Sequence, residues 1–255
     1  MLLTVDIGNT QTALGLFDDA DLVNHWVFNT RAQDTADELQ FLLAGQFSLN
    51  SISPERCHDV VLASVVPALT ECWEIVARRI TGKDPIVVGP GIKTGVAMRY
   101  DNPAEVGADR IADAIAAIDM VGAPAVVVDL GTTTNIEVID EKGRFLGGII
   151  APGMGTGAAA MFENAARLPQ VDIVEPGQAI GTNTIDAMRS GIVYGEVARI
   201  DGLVRMIFDE IGYKAPVIAT GGFSGLIADL SQEITHREPR LTLYGLRRIY
   251  EKNSR

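Results

Sequence analysis

Cysteine, histidine and positive charge are all scarce in this 255-residue chain, and each scarcity removes a class of function. The two cysteines, Cys57 and Cys72, match no metal-binding or redox spacing, so both read as buried thiols in a reducing compartment. The three histidines, His25, His58 and His236, are scattered and form no His-Glu-x-x-His pattern, which leaves zinc and histidine catalysis without support. Lys and Arg number 21 against 33 Asp and Glu, a formal net charge of −12, and neither nucleic acid nor an anionic membrane is attracted to a field of that sign. No Gly-x-x-x-x-Gly-Lys-Ser/Thr loop occurs: Gly82-Lys83 has neither the upstream glycine nor the following hydroxyl, so a P-loop kinase is excluded. Apolar runs are too short to span a bilayer, as where Asp119 interrupts the stretch before Ala125 to Val128. Met1 to Asp6 carries no basic leader, and a cytoplasmic protein without signal peptide is expected.

What is present begins at Thr4-Val-Asp6-Ile-Gly8-Asn-Thr10-Gln-Thr12, an apolar strand running into an acid, a glycine and short polar residues. Such a turn offers a carboxylate, backbone N–H groups and hydroxyls together, which suits phosphate oxygens and a metal ion, although Gly-Asn also serves ordinary hairpins. Ala125-Val-Val-Val-Asp129-Leu-Gly131-Thr-Thr133-Thr134 repeats the pattern, with Asp6, Gly8 and Thr10 corresponding to Asp129, Gly131 and Thr133. A motif duplicated one domain length apart predicts two similarly folded halves, residues 1–120 and 121–255, facing a shared cleft.

The pattern between these landmarks predicts strands at 2–6, 13–17 and 22–28, a helix at 35–47 with Leu39, Leu42 and Leu43 on one face, a strand at 60–66, a helix at 69–80 and a short strand at 85–88. Asn102-Pro103-Ala104-Glu105 reads as a helix start, and 109–120 as an alanine-rich helix. In the second half, strands are expected at 125–139 around the turn and at 145–150, then helices from about 158 to 166 and from 184 to 211, a strand at 217–220, a short helix from Ser224 and a last helix at 242–252. Each half therefore predicts a mixed sheet covered by helices. Gly153-Met-Gly155-Thr-Gly157-Ala158 fits a dinucleotide fingerprint, but no strand ending in an acid follows promptly, and its N–H groups are better expected to line a cleft at a helix N-terminus.

Three carboxylates stand out: Asp6 and Asp129 at the paired strand ends, and Asp109 at a helix start, where spacing alone reads as an acid stabilised by the helix dipole. Phosphoryl transfer needs a metal to screen charge and an acceptor for the attacking hydroxyl's proton, roles that three acids can divide.

Asp6-Ile-Gly-Asn-Thr10, Tyr100-Asp-Asn-Pro103, Gly107-Ala-Asp-Arg110, Asp129-Leu-Gly-Thr132, Gly181-Thr-Asn-Thr184 and Thr220-Gly-Gly222, in that order over essentially the whole chain, resemble a type III pantothenate kinase. The resemblance implies an α/β fold of two related ribonuclease H-like, actin-like ATPase domains with mixed sheets flanked by helices, closing on ATP in the cleft between them. It implies ATP-dependent phosphorylation of pantothenate to 4'-phosphopantothenate, the first step toward coenzyme A. ATP phosphates would lie on Asp6, Ile7, Gly8, Asn9, Thr10, Gln11, Thr12 and Ala13, with Thr132 as a second contact. Pantothenate would lie against Tyr100, Gly107, Ala108, Asp109, Arg110 and Thr184, with Asp109 as proton acceptor and Arg110 a partner for the carboxylate. Asp129 would hold a monovalent cation, K+ or NH4+, beside a Mg2+ ion at Asp6, and a homodimer is implied. The family pattern more often has other residues at Gln11, Asp113 and Glu137. The alternatives are a regulator like the Bvg accessory factors, or a kinase of another small hydroxylated substrate.

Overall fold

The computed structural model describes residues 1–165 and 168–254, and the chain divides into two compact units. Unit 1 comprises Met1–Val96, Asp101–Ala116 and the segment from Leu241 onward; unit 2 comprises Ala97–Tyr100 and Ala117–Arg240. The chain enters unit 2 briefly at Ala97–Tyr100, returns, and enters it again at Ala117, while the C-terminal segment, expected in the second half, groups with unit 1.

In unit 1, β1 (Leu2–Ile7), β2 (Gln11–Asp18) and β3 (Asp21–Asn29) form an antiparallel meander. After α1 (Ala36–Leu49), β4 (Asp59–Ser64) pairs parallel to β1, and after α2 (Pro67–Thr81), the two-residue β5 (Ile86–Val87) pairs parallel to β4. The sheet order is β3-β2-β1-β4-β5. Strand alternation sends Leu3, Val5, Ile7, Val60 and Leu62 to one face, where Leu39, Leu43 and Phe47 of α1 and Trp73 and Val76 of α2 bury them. Leu42 is 39% exposed and leaves the stripe predicted for it. The opposite face, with Leu2, Phe17, Val61 and Ala63, is covered by Ala108, Ala112 and Ile115, and by Leu243, Leu246 and Ile249 of the last helix.

In unit 2, the order is β11-β10-β7-β8-β9-β6. Here β6 (Ala97–Met98) is an edge pair on β9; β7 (Ala125–Leu130), β8 (Thr133–Ile139) and β9 (Arg144–Pro152) form the meander; β10 (Val217–Thr220) and β11 (His236–Arg237) add in parallel beside β7. Between Ile7 and Thr12, and again between Leu130 and Thr134, the first two meander strands are joined by a tight turn, and the two sheets repeat one connectivity. The helix α3 (Ala108–Val121) carries the chain from unit 1 to unit 2. The helices α4 (Met154–Asn164), α5 (Thr184–Ile211) and α6 (Ser224–Ala228) supply Met154, Val193, Ile200, Val204 and Ile227 to the core over Val126, Val128, Ile136 and Ala219. The last helix, α7 (Leu241–Asn253), returns to unit 1.

Two local readings are corrected. Asn102 does cap, accepting the Ala104 N–H at 3.3 Å, but it caps an isolated 3-10 turn at Pro103–Glu105; α3 starts only at Ala108. The helix expected from about residue 158 begins at Met154, so Gly155 and Gly157 lie inside it; its expected end at Ala166 lies outside the described residues.

Candidate active site

Unit 1 places the first motif at the C-terminal end of β1, where Asp6 pairs with Ala13 on β2 and Ala63 on β4. Four residues turn the chain between Ile7 and Thr12, closed by the Gly8 N–H donating to the Gln11 carbonyl at 3.0 Å. Asn9, Thr10 and Gln11 are exposed, whereas Thr12 is buried and shares a hydroxyl hydrogen bond of 2.8 Å with Thr30. The Thr30 N–H donates to the Thr10 carbonyl at 2.9 Å. The end of β3 therefore holds the turn from beneath and leaves its polar tip open to a ligand.

The second element of unit 1 is the turn into α3. A Cβ on Gly107 would stand 2.3 Å from Asp109 Oδ1 and 3.8 Å from Val65, so the carboxylate folds over bare backbone. Asp109 Oδ1 accepts the Arg110 N–H at 2.9 Å, and Val65 in turn donates its N–H to the Ile7 carbonyl at 3.0 Å. Through Val65, the Gly107–Arg110 turn is packed against the strand edge that carries Asp6. Both lie at the C-terminal ends of the parallel pair β1 and β4, where sheets of this kind bind ligands. Asp109 is half-buried, Ala108 buried, and Arg110 only 7% exposed.

In unit 2, Asp129 ends β7 opposite Asn135 on β8 and Thr220 on β10. Gly221 has φ +84, and a Cβ there would meet Asp129 Oδ1 at 2.6 Å, so backbone walls the carboxylate. Directly opposed residues share a sheet face, which puts the Asn135 amide beside Asp129. Asn135 Oδ1 is buried and accepts no hydrogen bond among the described residues. This turn is one residue shorter than its counterpart, with the Gly131 N–H donating to the Thr133 carbonyl at 3.0 Å. Thr132 is exposed at the tip, and its carbonyl accepts the Gly153 N–H at 3.1 Å and the Thr156 hydroxyl at 2.6 Å.

The glycine fingerprint takes a different part from a dinucleotide loop. Gly153 caps α4, and a Cβ on it would lie 2.4 Å from the Gly131 carbonyl, so it is a packing glycine under the second turn. Gly155 and Gly157 have open space around them and approach no backbone closely. The remaining residues expected at a substrate site lie elsewhere in unit 2. Tyr100 sits with its ring 6.1 Å from Phe145, next to the β6–β9 pair, and Thr184 is the exposed first residue of α5, after the capping Asn183.

Several contributors were not legible in advance. Thr30 carries no motif, Thr156 is an unspecified position of the glycine fingerprint, and their contacts depend on pairings remote in sequence. Glu196 carries a signal: it is an acid inside the buried stripe Ile192, Val193, Ile200 of α5, where an acid is costly without a partner.

A family model for type III pantothenate kinases matches residues 2–206 of the chain. A type III pantothenate kinase of Moorella thermoacetica is 44% identical over 254 residues, covering 100% of both chains. Another, of Halalkalibacterium halodurans, is 43% identical over 253 residues, covering 99% of this chain and 100% of the relative. Among solved structures, a protein described as a Baf family transcriptional activator from Campylobacter jejuni superposes with a TM-score of 0.60 at 20% identity, over 99% of this chain and 98% of that one. Component A of (R)-2-hydroxyglutaryl-CoA dehydratase from Acidaminococcus fermentans gives 0.58 at 14% identity, over 100% and 99%. These structural likenesses carry the fold alone.

Proposed function

The chain belongs to the type III pantothenate kinase family and phosphorylates pantothenate with ATP in coenzyme A biosynthesis, and from that premise we propose how its residues divide the work. The observation that carries the reading is the pairing, within unit 1, of the open Asp6–Thr12 turn with the Asp109 carboxylate on the same strand edge.

In this reading, Asp6 to Ala13 bind the ATP phosphates through backbone N–H groups and short polar side chains, with Thr132 a further contact. The Asp109 carboxylate takes the proton of the pantothenate hydroxyl as its oxygen bonds to the γ-phosphorus; the bond from that phosphorus to the β,γ-bridging oxygen breaks, and ADP leaves. Arg110, its neighbour, is the partner for the pantothenate carboxylate, with Tyr100, Gly107, Ala108 and Thr184 shaping the remainder.

A kinase of this kind uses a divalent metal to screen phosphate charge. Mg2+ keeps several waters and takes one or two carboxylates besides substrate phosphates, and Asp6, at the end of β1 beside the open turn, offers one. Asp6 is the residue we propose for it. For a monovalent cation, Asp129 and the buried Asn135 Oδ1 offer hard oxygen donors on one face, a set that fits K+ or NH4+.

We extend the proposal to a homodimer in the cytoplasm. Unit 2 exposes Ile150, Phe162, Ile180 and Ile185, and the outer side of α5 is open at Ala187, Gly191, Gly195 and Ala198, where a second copy could approach closely. Both cysteines are free thiols. A regulator that binds DNA is not favoured, given the net charge of −12 and the retained Asp6, Asp109 and Asp129.

The test is an acceptor screen with purified protein, ATP, Mg2+ and K+. Pantothenate should elicit ADP release and other hydroxylated acids should not; a different preferred acceptor overturns the assignment. Omitting K+ and NH4+ should suppress turnover, and unchanged turnover without either removes the role proposed for Asp129.

A further inference from the structure

The residues that hold the second turn from behind lie on α5, at positions outside the motifs that carried the family resemblance. Thr134 directly follows the Gly131–Thr133 turn and is 2% exposed. Its hydroxyl donates to Glu196 Oε1 at 2.6 Å. The Glu196 side chain is 4% exposed and lies among apolar residues of the unit 2 core. Its other oxygen receives Arg199 Nη2 in a close ion pair. The same Nη2 donates to the Pro152 carbonyl at 2.8 Å and reaches the Thr134 hydroxyl at 3.3 Å.

Pro152 is the strand partner of Thr133, and Gly153 after it donates to the Thr132 carbonyl. One guanidinium therefore joins both strands of the β8–β9 pair at the end where Thr132 is displayed. A buried acid paired with a partly exposed arginine is a costly way to fill the edge of a core, since apolar residues of similar volume often do as well or better. What the pair supplies is direction: a carboxylate and a charged guanidinium nitrogen fix the hydroxyl and carbonyl they bind more narrowly than apolar contacts can.

We propose that Glu196 and Arg199 are positioning residues which, through Thr134 and Pro152, hold the Gly131–Thr133 turn in the shape that receives an ATP phosphate, and so set affinity for ATP and leave that for pantothenate alone. The inference rests on Thr132 contacting ATP.

The experiment is steady-state kinetics with the KM for each substrate determined separately, on Thr134→Val, Thr134→Ser, Arg199→Lys and, as reference, Thr132→Ala. Thr134→Val keeps shape and removes only the hydroxyl, Glu196 retaining its ion pair with Arg199, and melting temperatures check that the variant folds. Loss of turn geometry should raise the KM for ATP about tenfold or more, in line with the sensitivity of reacting groups to small misplacements. The KM for pantothenate should stay within about twofold, the accuracy at which such a split is read. Thr134→Ser, which keeps the hydroxyl, should restore the wild-type value, and Arg199→Lys should resemble Thr134→Val because the lysine side chain is one bond shorter than the path to Nη2, the nitrogen that makes every one of these contacts. The stabilisation of the protein by ATP in a thermal shift should fall in Thr134→Val while that by pantothenate persists.

If Thr132→Ala raises the KM for ATP but Thr134→Val and Arg199→Lys leave it at the wild-type value, the positioning role is wrong while the phosphate contact stands. Equal changes in both KM values, or no rescue by serine, also overturn the role by pointing to a general structural part. If Thr132→Ala itself has no effect on ATP, the reading of the turn as a phosphate contact fails, and the inference falls with it.

Discussion

Asp140 shows how one side chain can be tied to a pH range. Burial disfavours its charge, but the Arg144 guanidinium at 2.7 Å and the N–H groups of Arg144 and Lys142, each at 2.9 Å, outweigh that and lower its pKa. A carboxylate held below its unfolded value near ~4 contributes stability that is fully present above that pH and is lost as pH falls through the folded value. Asp140→Asn should therefore lower the melting temperature at pH 7 and flatten its decline below about pH 4; parallel curves for the two proteins would rule out this contribution. Cys57 is the opposite case. Burial pushes its thiol up to about 11, so in the folded protein it should resist alkylation at pH 8, whereas the less buried Cys72 should be modified first. Peptide mapping after a short treatment with iodoacetamide distinguishes the two, and early labelling of Cys57 would contradict its placement.

Asp109 marks the boundary of what single residues reveal. Its position before an alanine-rich run reads, from spacing alone, as a helix-start acid, and only the family resemblance implies a catalytic one. What the fold adds is Gly107 beneath the carboxylate and Val65 beside that glycine, the latter directly after a strand more than forty residues earlier.

Elements with strong periodicity were legible, and those defined by a remote partner were not. The two opening strands, α2 and α5 each follow from alternation or a helical stripe read within the element itself. By contrast, β6 and β11 are two residues each and exist only because β9 and β10 accept them. The early start of α4 has a related cause: glycine costs a helix about 1 kcal/mol relative to alanine, so Gly155 and Gly157 argued against helix. Gly153, buried under the turn at Gly131, and Met154, 4% exposed, fix the first turn of α4 instead. The start of α1 depends on a local device that can be tested alone. Thr35 accepts the Glu38 N–H at 3.3 Å, and Glu38 accepts the Thr35 N–H at 2.8 Å, a reciprocal capping box. Thr35→Ala should cost about 1 kcal/mol in urea denaturation with an unchanged m-value, and an unchanged midpoint would show that the cap contributes nothing.

At the scale of the molecule, the duplicated Asp-x-Gly turn correctly announced two sheets of one connectivity, since each copy sits between the first two strands of its meander. The return of α7 to unit 1 was not visible, because an amphipathic helix records that it is buried and not against what. Leu243, Leu246 and Ile249 cover the face shared with α3, Thr242 donates to Asp113 at 2.7 Å, and Gly245 packs where a Cβ would lie 1.9 Å from the Ala112 carbonyl. Deleting the chain from Leu241 should therefore unfold unit 1, seen as rapid proteolysis between residues 1 and 96, whereas selective cleavage confined to unit 2 would contradict this account.

The kinase assignment rests on residues from the whole chain, but the chemistry proposed for it converges on one carboxylate. The most direct measurement is pantothenate-dependent ADP formation by wild-type protein and by Asp109→Asn under saturating ATP, Mg2+ and K+. The account predicts a fall of about 10²- to 10⁴-fold in kcat, the range for loss of a general base, with an unchanged melting temperature. An Asp109→Asn protein that turns over at the wild-type rate would place the proton acceptor elsewhere and contradict the mechanism proposed for this site.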